Sequence, residues 1–99
     1  MCCCYIIYSE NLTKFYTGAC QDDLEKRILK HNIHAYGNNR FTSNSDDWKL
    51  FLKIKTADYA HAIRLERKIK SMKSSSYIKN LKQYPEIISK IFKETKKSS

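Results

Sequence analysis

Near the start of the chain, Cys3-Cys4-Tyr5-Ile6-Ile7-Tyr8 runs as an unbroken apolar stretch rich in β-formers. A strand with no polar side has to be covered on both faces, so it belongs at the centre of a sheet. The rest of the chain must therefore supply neighbours on either side and helices above and below.

The pattern downstream meets that demand. Ser9 to Lys14 is polar and reads as a turn, and Phe15 to Gly18 follows as a short second strand, giving a hairpin. Asp22 is positioned to cap a helix running to His31. Asn32 to Asp47, with Gly37, Asn38 and Asn39, reads as a long surface loop of the kind that often carries function. Trp48, Leu50, Leu52 and Ile54 then alternate with Lys49, Phe51, Lys53 and Lys55, which predicts a third, half-buried strand. Thr56 is placed to cap a long helix over Ala57 to Met72. After the serine break at Ser74 to Ser76, a short helix over Tyr77 to Leu81 is expected. A last helix opens at Pro85 with Ile87, Ile88, Ile91 and Phe92 as its apolar stripe. The basic segment from Lys93 onward is expected to fray. The order β-β-α-β-α-α-α describes an α+β domain with a small three-stranded antiparallel sheet flanked by helices. The expected division is a single domain over residues 1–95 with a basic tail at 96–99.

Charge narrows the partners. The chain carries 19 Lys+Arg against 10 Asp+Glu, a net charge of +9. A small domain this basic faces a polyanion when its lysines neutralise phosphates and release counterions. A merely soluble basic surface is the alternative. Four cysteines, three of them consecutive at Cys2, Cys3 and Cys4 with Cys20 further on, suit neither a disulfide framework nor zinc spacing. Reduced thiols in a cytoplasmic protein are the simplest reading. The apolar start lacks the length and basic flank of a signal peptide, and no run is long enough to span a bilayer.

Three polar features interrupt the expected core. Glu66 falls on the apolar face of the long helix defined by Tyr59, Ala62, Ile63, Leu65, Ile69 and Met72. A carboxylate there costs free energy unless it is paired, hydrogen-bonded or on a metal. An ion pair with Arg or Lys and a catalytic or metal-binding role both answer that cost. Arg27 and His31 lie four apart along the inward side of the first helix, beside Leu24 and Ile28. Arg27 could pair with Glu66 or present its planar fork to a phosphate, and His31 could be an ordinary helix-end histidine. Pairing the hairpin symmetrically about Ser9 and Lys14 sets Tyr16 opposite Ile7, which makes Tyr5 and Tyr16 diagonal neighbours on one face. Gly18 at the end of the second strand suggests close backbone approach or a positive φ. His31 with His34 is a possible metal pair lacking a third ligand. No glycine-rich phosphate loop or nucleophile elbow is present.

In order and spacing these residues resemble the GIY-YIG nuclease family over nearly the whole chain. Cys3-Cys4-Tyr5 occupies the place of the first motif, with cysteine where glycine is usual, and Tyr16-Thr17-Gly18 that of the second. Asp23 to Arg27, continuing to Lys30-His31-Asn32, resembles the family's arginine helix, and Ala62 to Lys70 its glutamate helix. Arg40-Phe41-Thr42 with Asp47-Trp48 is similar to compact single-domain bacterial members, and Asn80 is a candidate for the family's late asparagine. The resemblance implies a metal-dependent endonuclease acting on DNA, whether duplex, branched or nicked, with the site on one sheet face. Glu66 would hold one Mg²⁺ or Mn²⁺ and Arg27 would neutralise the phosphate. Tyr16 would activate water, Tyr5 would orient that water, and His31 would assist proton transfer.

Two other readings stay open. The chain could be a non-catalytic nucleic-acid-binding module that uses Lys49, Lys53, Lys70 and Lys73 on phosphates. It could instead be a protein-interaction domain with a structural Glu66–Arg27 pair. Substrate preference is not written in the motifs; a partner or a homodimer could supply it.

Overall fold

The computed structural model describes residues 2–33 and 45–96. Its elements follow the expected order: β1 (Cys2–Ser9), β2 (Lys14–Cys20), α1 (Leu24–Asn32), β3 (Lys49–Thr56), α2 (Tyr59–Met72), α3 (Ser75–Gln83) and α4 (Pro85–Thr95). The sheet is antiparallel with β1 in the middle, in the order β2-β1-β3. Burial explains that placement: Cys3 through Ile7 are each 1% exposed or less.

Because side chains alternate across a strand, β1 feeds two separate cores. Cys4 and Ile6 pack with Ile54, Leu65, Ile69, Leu81 and Ile91, so α2, α3 and α4 cover this face. Cys3, Tyr5 and Ile7 pack with Cys20, Leu24 and Trp48, and here α1 provides the helical cover. The hairpin register is the symmetric one, Ser9↔Lys14 and Ile7↔Tyr16, which puts Tyr5, Gly18 and Tyr16 on the α1 face.

Strand β3 departs from simple alternation. Its pairing with β1 shifts between Ile6↔Leu52 and Ile7↔Leu50, so Phe51 is the extra residue of a bulge. The shift divides the expected stripe: Ile54 joins the α2 face while Trp48 joins the α1 face, and Leu50 is left 48% exposed. Phe51, expected to point outward, packs edge-on against Phe15 with ring centroids 4.8 Å apart.

Helix ends also move by a residue or two, each for a local reason. Asp23 rather than Asp22 caps α1, accepting from the Glu25 amide at 3.0 Å. Asp58 rather than Thr56 caps α2, accepting from the His61 amide at 2.8 Å, while the Thr56 hydroxyl donates to the Asp58 carbonyl. Ser74 caps α3, so that helix starts before Tyr77. Pro85 opens α4 as expected, but the helix runs through Thr95 instead of fraying at Lys93. Its last turn is held from α2: Arg64 Nε donates to the Thr95 carbonyl, and buried His61 places Nε2 3.1 Å from the Phe92 carbonyl. His61 thus takes part in the buried face of α2, while Met72, expected there, is 43% exposed.

The region before β3 is tied down at two points. The Asn32 side-chain amide both donates to the Trp48 carbonyl at 3.0 Å and accepts from its N–H at 2.7 Å, joining the end of α1 to the start of β3. Asp47 accepts from the Ser9 and Ser45 hydroxyls and from the Asn11 amide, which locks the hairpin turn. These hydrogen bonds to the charged form pull the Asp47 carboxyl down to about 2 from its ordinary 3.8. A carboxyl whose pKa is lowered by folding contributes stability above its unfolded pKa and loses it as pH falls through the folded value. Thermal unfolding followed between about pH 4 and pH 2 should therefore show a steeper acid loss in the native chain than in Asp47→Asn. Identical slopes would mean that this network does not stabilise the turn.

Candidate active site

On the α1 face, the Tyr5 ring lies across Gly18, its direct partner in the hairpin. A Cβ built on Gly18 would fall 2.5 Å from the Tyr5 hydroxyl and 2.6 Å from Cζ. Glycine is required here for close approach, and of the two reasons the sequence suggested this is the one that operates. Seated in that gap, Tyr5 is 1% exposed, and a buried hydroxyl needs a hydrogen-bond partner. His31, itself 4% exposed at the end of α1, provides it, with Nε2 2.9 Å from the phenol oxygen.

Tyr16 completes the group. Its ring centroid is 5.2 Å from that of His31 and 6.5 Å from that of Trp48. Unlike Tyr5 and His31 it is half-buried, so it is the member of the trio with a face toward solvent. Arg27, one turn before His31 on α1, is also half-buried, with its Nε enclosed. It lines a small cleft with Asp22, Asp23, Lys26 and Lys30.

Glu66 approaches from the other side of the sheet. Helix α2 packs through Leu65 and Ile69 on the Cys4–Ile6 face, and the Glu66 side chain is 22% exposed there. Burial pushes the Cys4 thiol well above its usual range, and the nearby Glu66 carboxylate adds to the effect. Glu66 Oε2 pairs with Lys70 at 2.7 Å, and the Lys70 ammonium in turn sits 5.1 Å over the Tyr16 ring. A cation over a phenol ring is attracted to its negative face. The expectation of a site confined to one sheet face is therefore corrected. The phenol–imidazole group lies on one face and the carboxylate on the other, and Lys70 links them around edge strand β2.

The family model for the GIY-YIG catalytic domain matches residues 1–83 of the chain. The chain belongs to the GIY-YIG family. Its three-stranded antiparallel sheet with four helices is the α+β architecture that membership implies, and a nuclease-type function comes with it. No curated protein and no solved structure matches the chain.

Within this GIY-YIG domain the expected site residues are distributed unevenly. His31 contacts both Tyr5 and Tyr16, with Arg27 on the adjoining turn and Glu66 reached through Lys70. Tyr5, expected to orient the attacking water, is enclosed, and its phenol oxygen meets His31 rather than solvent. The four expected phosphate-binding lysines divide between two places. Lys53 pairs with Tyr5 and Lys49 with Tyr8 on edge strand β3, whereas Lys70 and Lys73 lie at the end of α2 near the opposite edge. Asn80 is exposed on α3, where its backbone carbonyl accepts from Tyr84. His34 and Arg40-Phe41-Thr42 lie outside the described residues. The cysteines are all free, with Cys3 directly opposite Cys20.

Sequence reading did not single out Lys14, Lys70's contact with Tyr16, or the Asp47 network. The i,i+4 spacing of Glu66 and Lys70 was a usable signal for their ion pair. As to a metal, no group of three or more His, Cys, Asp or Glu side chains clusters among the described residues. A lone, partly exposed carboxylate still fits a magnesium-like ion, which keeps several waters and needs few protein oxygens.

The Tyr5–Gly18 contact can be tested by overfilling it. Gly18→Ala should destabilise the domain by about 1–3 kcal/mol in urea unfolding, since the enclosed Tyr5 ring has nowhere to move. A stability equal to that of the native chain would show that the gap is not structurally required.

Proposed function

We propose that this domain is an endonuclease that hydrolyses DNA phosphodiester bonds and depends on Mg²⁺ or Mn²⁺ held by Glu66. The observation that carries the reading is the position of Tyr16. It is half-exposed, backed by the buried Tyr5–His31 pair, and in contact through Lys70 with the half-buried carboxylate of Glu66.

Hydrolysis needs a water deprotonated as it attacks phosphorus, a stabilised negative phosphoryl group and a departing 3′ oxygen. In its phenolate form Tyr16 takes the proton of the attacking water, and His31, packed against the Tyr16 ring, assists that proton's onward transfer so that the phenolate is restored. Tyr5 is a positioning residue that holds the His31 ring through its phenol oxygen. Arg27 neutralises charge on the non-bridging oxygens, where its planar fork matches the geometry. A divalent cation on Glu66 would polarise the phosphoryl group and stabilise the leaving oxygen. The charge of +9 draws the polyanion in.

Glu66→Ala and Arg27→Ala should each abolish nicking of supercoiled plasmid while circular dichroism and thermal midpoint stay close to those of the native chain. Excess chelator should stop the native reaction. Metal-dependent cleavage retained by both variants would remove the assignment, and nicking unchanged in chelator would remove the cation. Binding without turnover in either metal would point to a non-catalytic nucleic-acid-binding module. The Lys70 ammonium already resting on Glu66 Oε2 is the feature that favours that second reading.

A further inference from the structure

Next to Tyr16, a cavity of about 490 Å³ opens between edge strand β2, the end of α2 and the start of α3. Tyr16 and Lys70 line the side that borders the proposed reaction centre, and the proposed hydrolysis gives no part to the rest. Phe15, Ile69 and Ile78 give it an apolar interior, and Lys14, Lys70 and Lys73 stand around it. Lys14 and Lys73 are exposed, while Lys70 marks the boundary with the active site through its contacts to Glu66 and Tyr16. Lys73 also holds a left-handed backbone conformation (φ 48°) at the end of α2, a position that glycine fills at lower cost. Lysine in that place accepts some strain and puts a cationic residue in the cavity lining.

Phosphate contacts alone need a basic surface and no cavity. An apolar cavity alone would suit a hydrophobic side chain or a small molecule. A concave apolar space ringed by cations matches one polymer in particular: a nucleic-acid strand whose base has left the stack, with the base inside and its flanking phosphates on the lysines. The volume lies in the range of about 300–1,000 Å³ usual for small-ligand sites, ample for one base. Bases in a continuous duplex are held in their stack, and extruding one costs the stacking and pairing it had. A strand already unpaired pays nothing.

We propose that this cavity receives an unstacked base next to the scissile phosphate, with Lys14 and Lys73 on the flanking phosphates. The substrate class is therefore DNA with unpaired bases at the cut, such as a flap, junction or single strand, in preference to continuous duplex. This rests on the proposed nuclease site for the position of the scissile phosphate, but the binding step can be measured apart from cleavage.

The test is fluorescence anisotropy of the full chain in chelator, with a labelled oligothymidylate of about ten nucleotides and a blunt duplex of matching length. Single strand should bind about tenfold tighter than duplex, the effect of one stacked base. Ser75→Trp, which fills the cavity without changing charge, should remove that preference, and Lys14→Glu with Lys73→Glu should weaken single-strand binding by at least as much. Equal affinity for the two DNAs in the native chain, or an undiminished preference in both variants, would overturn the proposal. The two readings fail separately. A single-strand preference without any cleavage in Mg²⁺ or Mn²⁺ would sink the nuclease and keep the cavity. Cleavage of continuous duplex as fast as flaps would keep the nuclease and sink the cavity.

Discussion

The contact between the Tyr5 ring and the bare backbone of Gly18 sets the geometry of everything around it. Tyr5 belongs to the central strand, where both faces are covered, so its phenol cannot reach water. It must lie flat on its hairpin partner and end against a hydrogen-bonding group, and only a residue without a Cβ leaves the room. His31 meets that need from the last turn of α1, which fixes how the helix sits on the sheet and brings the imidazole against Tyr16. A packing requirement at one hairpin pair thereby becomes a phenol–imidazole–phenol group with one exposed member.

The second organising feature is the edge of the sheet. Among the described residues the sheet has three strands with β2 at one end, and groups from the two faces can meet around it without crossing a core. Lys70 does so, holding Glu66 with its charge and the Tyr16 ring with its cation–π contact. A carboxylate that would be expensive in the middle of the α2 core is instead placed at its margin, partly solvated and paired.

Much of this was legible in the residues. The apolar run of β1 dictated a covered central strand, and the symmetric hairpin register with Tyr16 opposite Ile7 followed from the polar turn. Helix spacing put Arg27 and His31 on one side of α1, and both sit inward. What was not legible depended on tertiary choice. Either Asp22 or Asp23 could cap α1, and local sequence does not say which carboxylate meets the amide. The bulge at Phe51 reverses the facing of half a strand, and alternation alone cannot show a register shift. His61 carried no signal in the sequence, because its burial depends on α4 packing over it. The burial of Tyr5, which turns its phenol toward His31 rather than water, depends on the whole assembly of α1 over the sheet.

In the proposed reaction Tyr16, half-exposed at the sheet edge, works on the water while Tyr5 supports it from behind. Single-turnover cleavage by Tyr16→Phe and Tyr5→Phe, at saturating enzyme and metal, separates those roles. The account expects Tyr16→Phe to lose about 10²–10⁴-fold in rate, the contribution usual for a positioned general base, and Tyr5→Phe to lose clearly less. A Tyr16→Phe enzyme that cuts at the native rate, or a Tyr5→Phe enzyme that is the more damaged of the two, would contradict it.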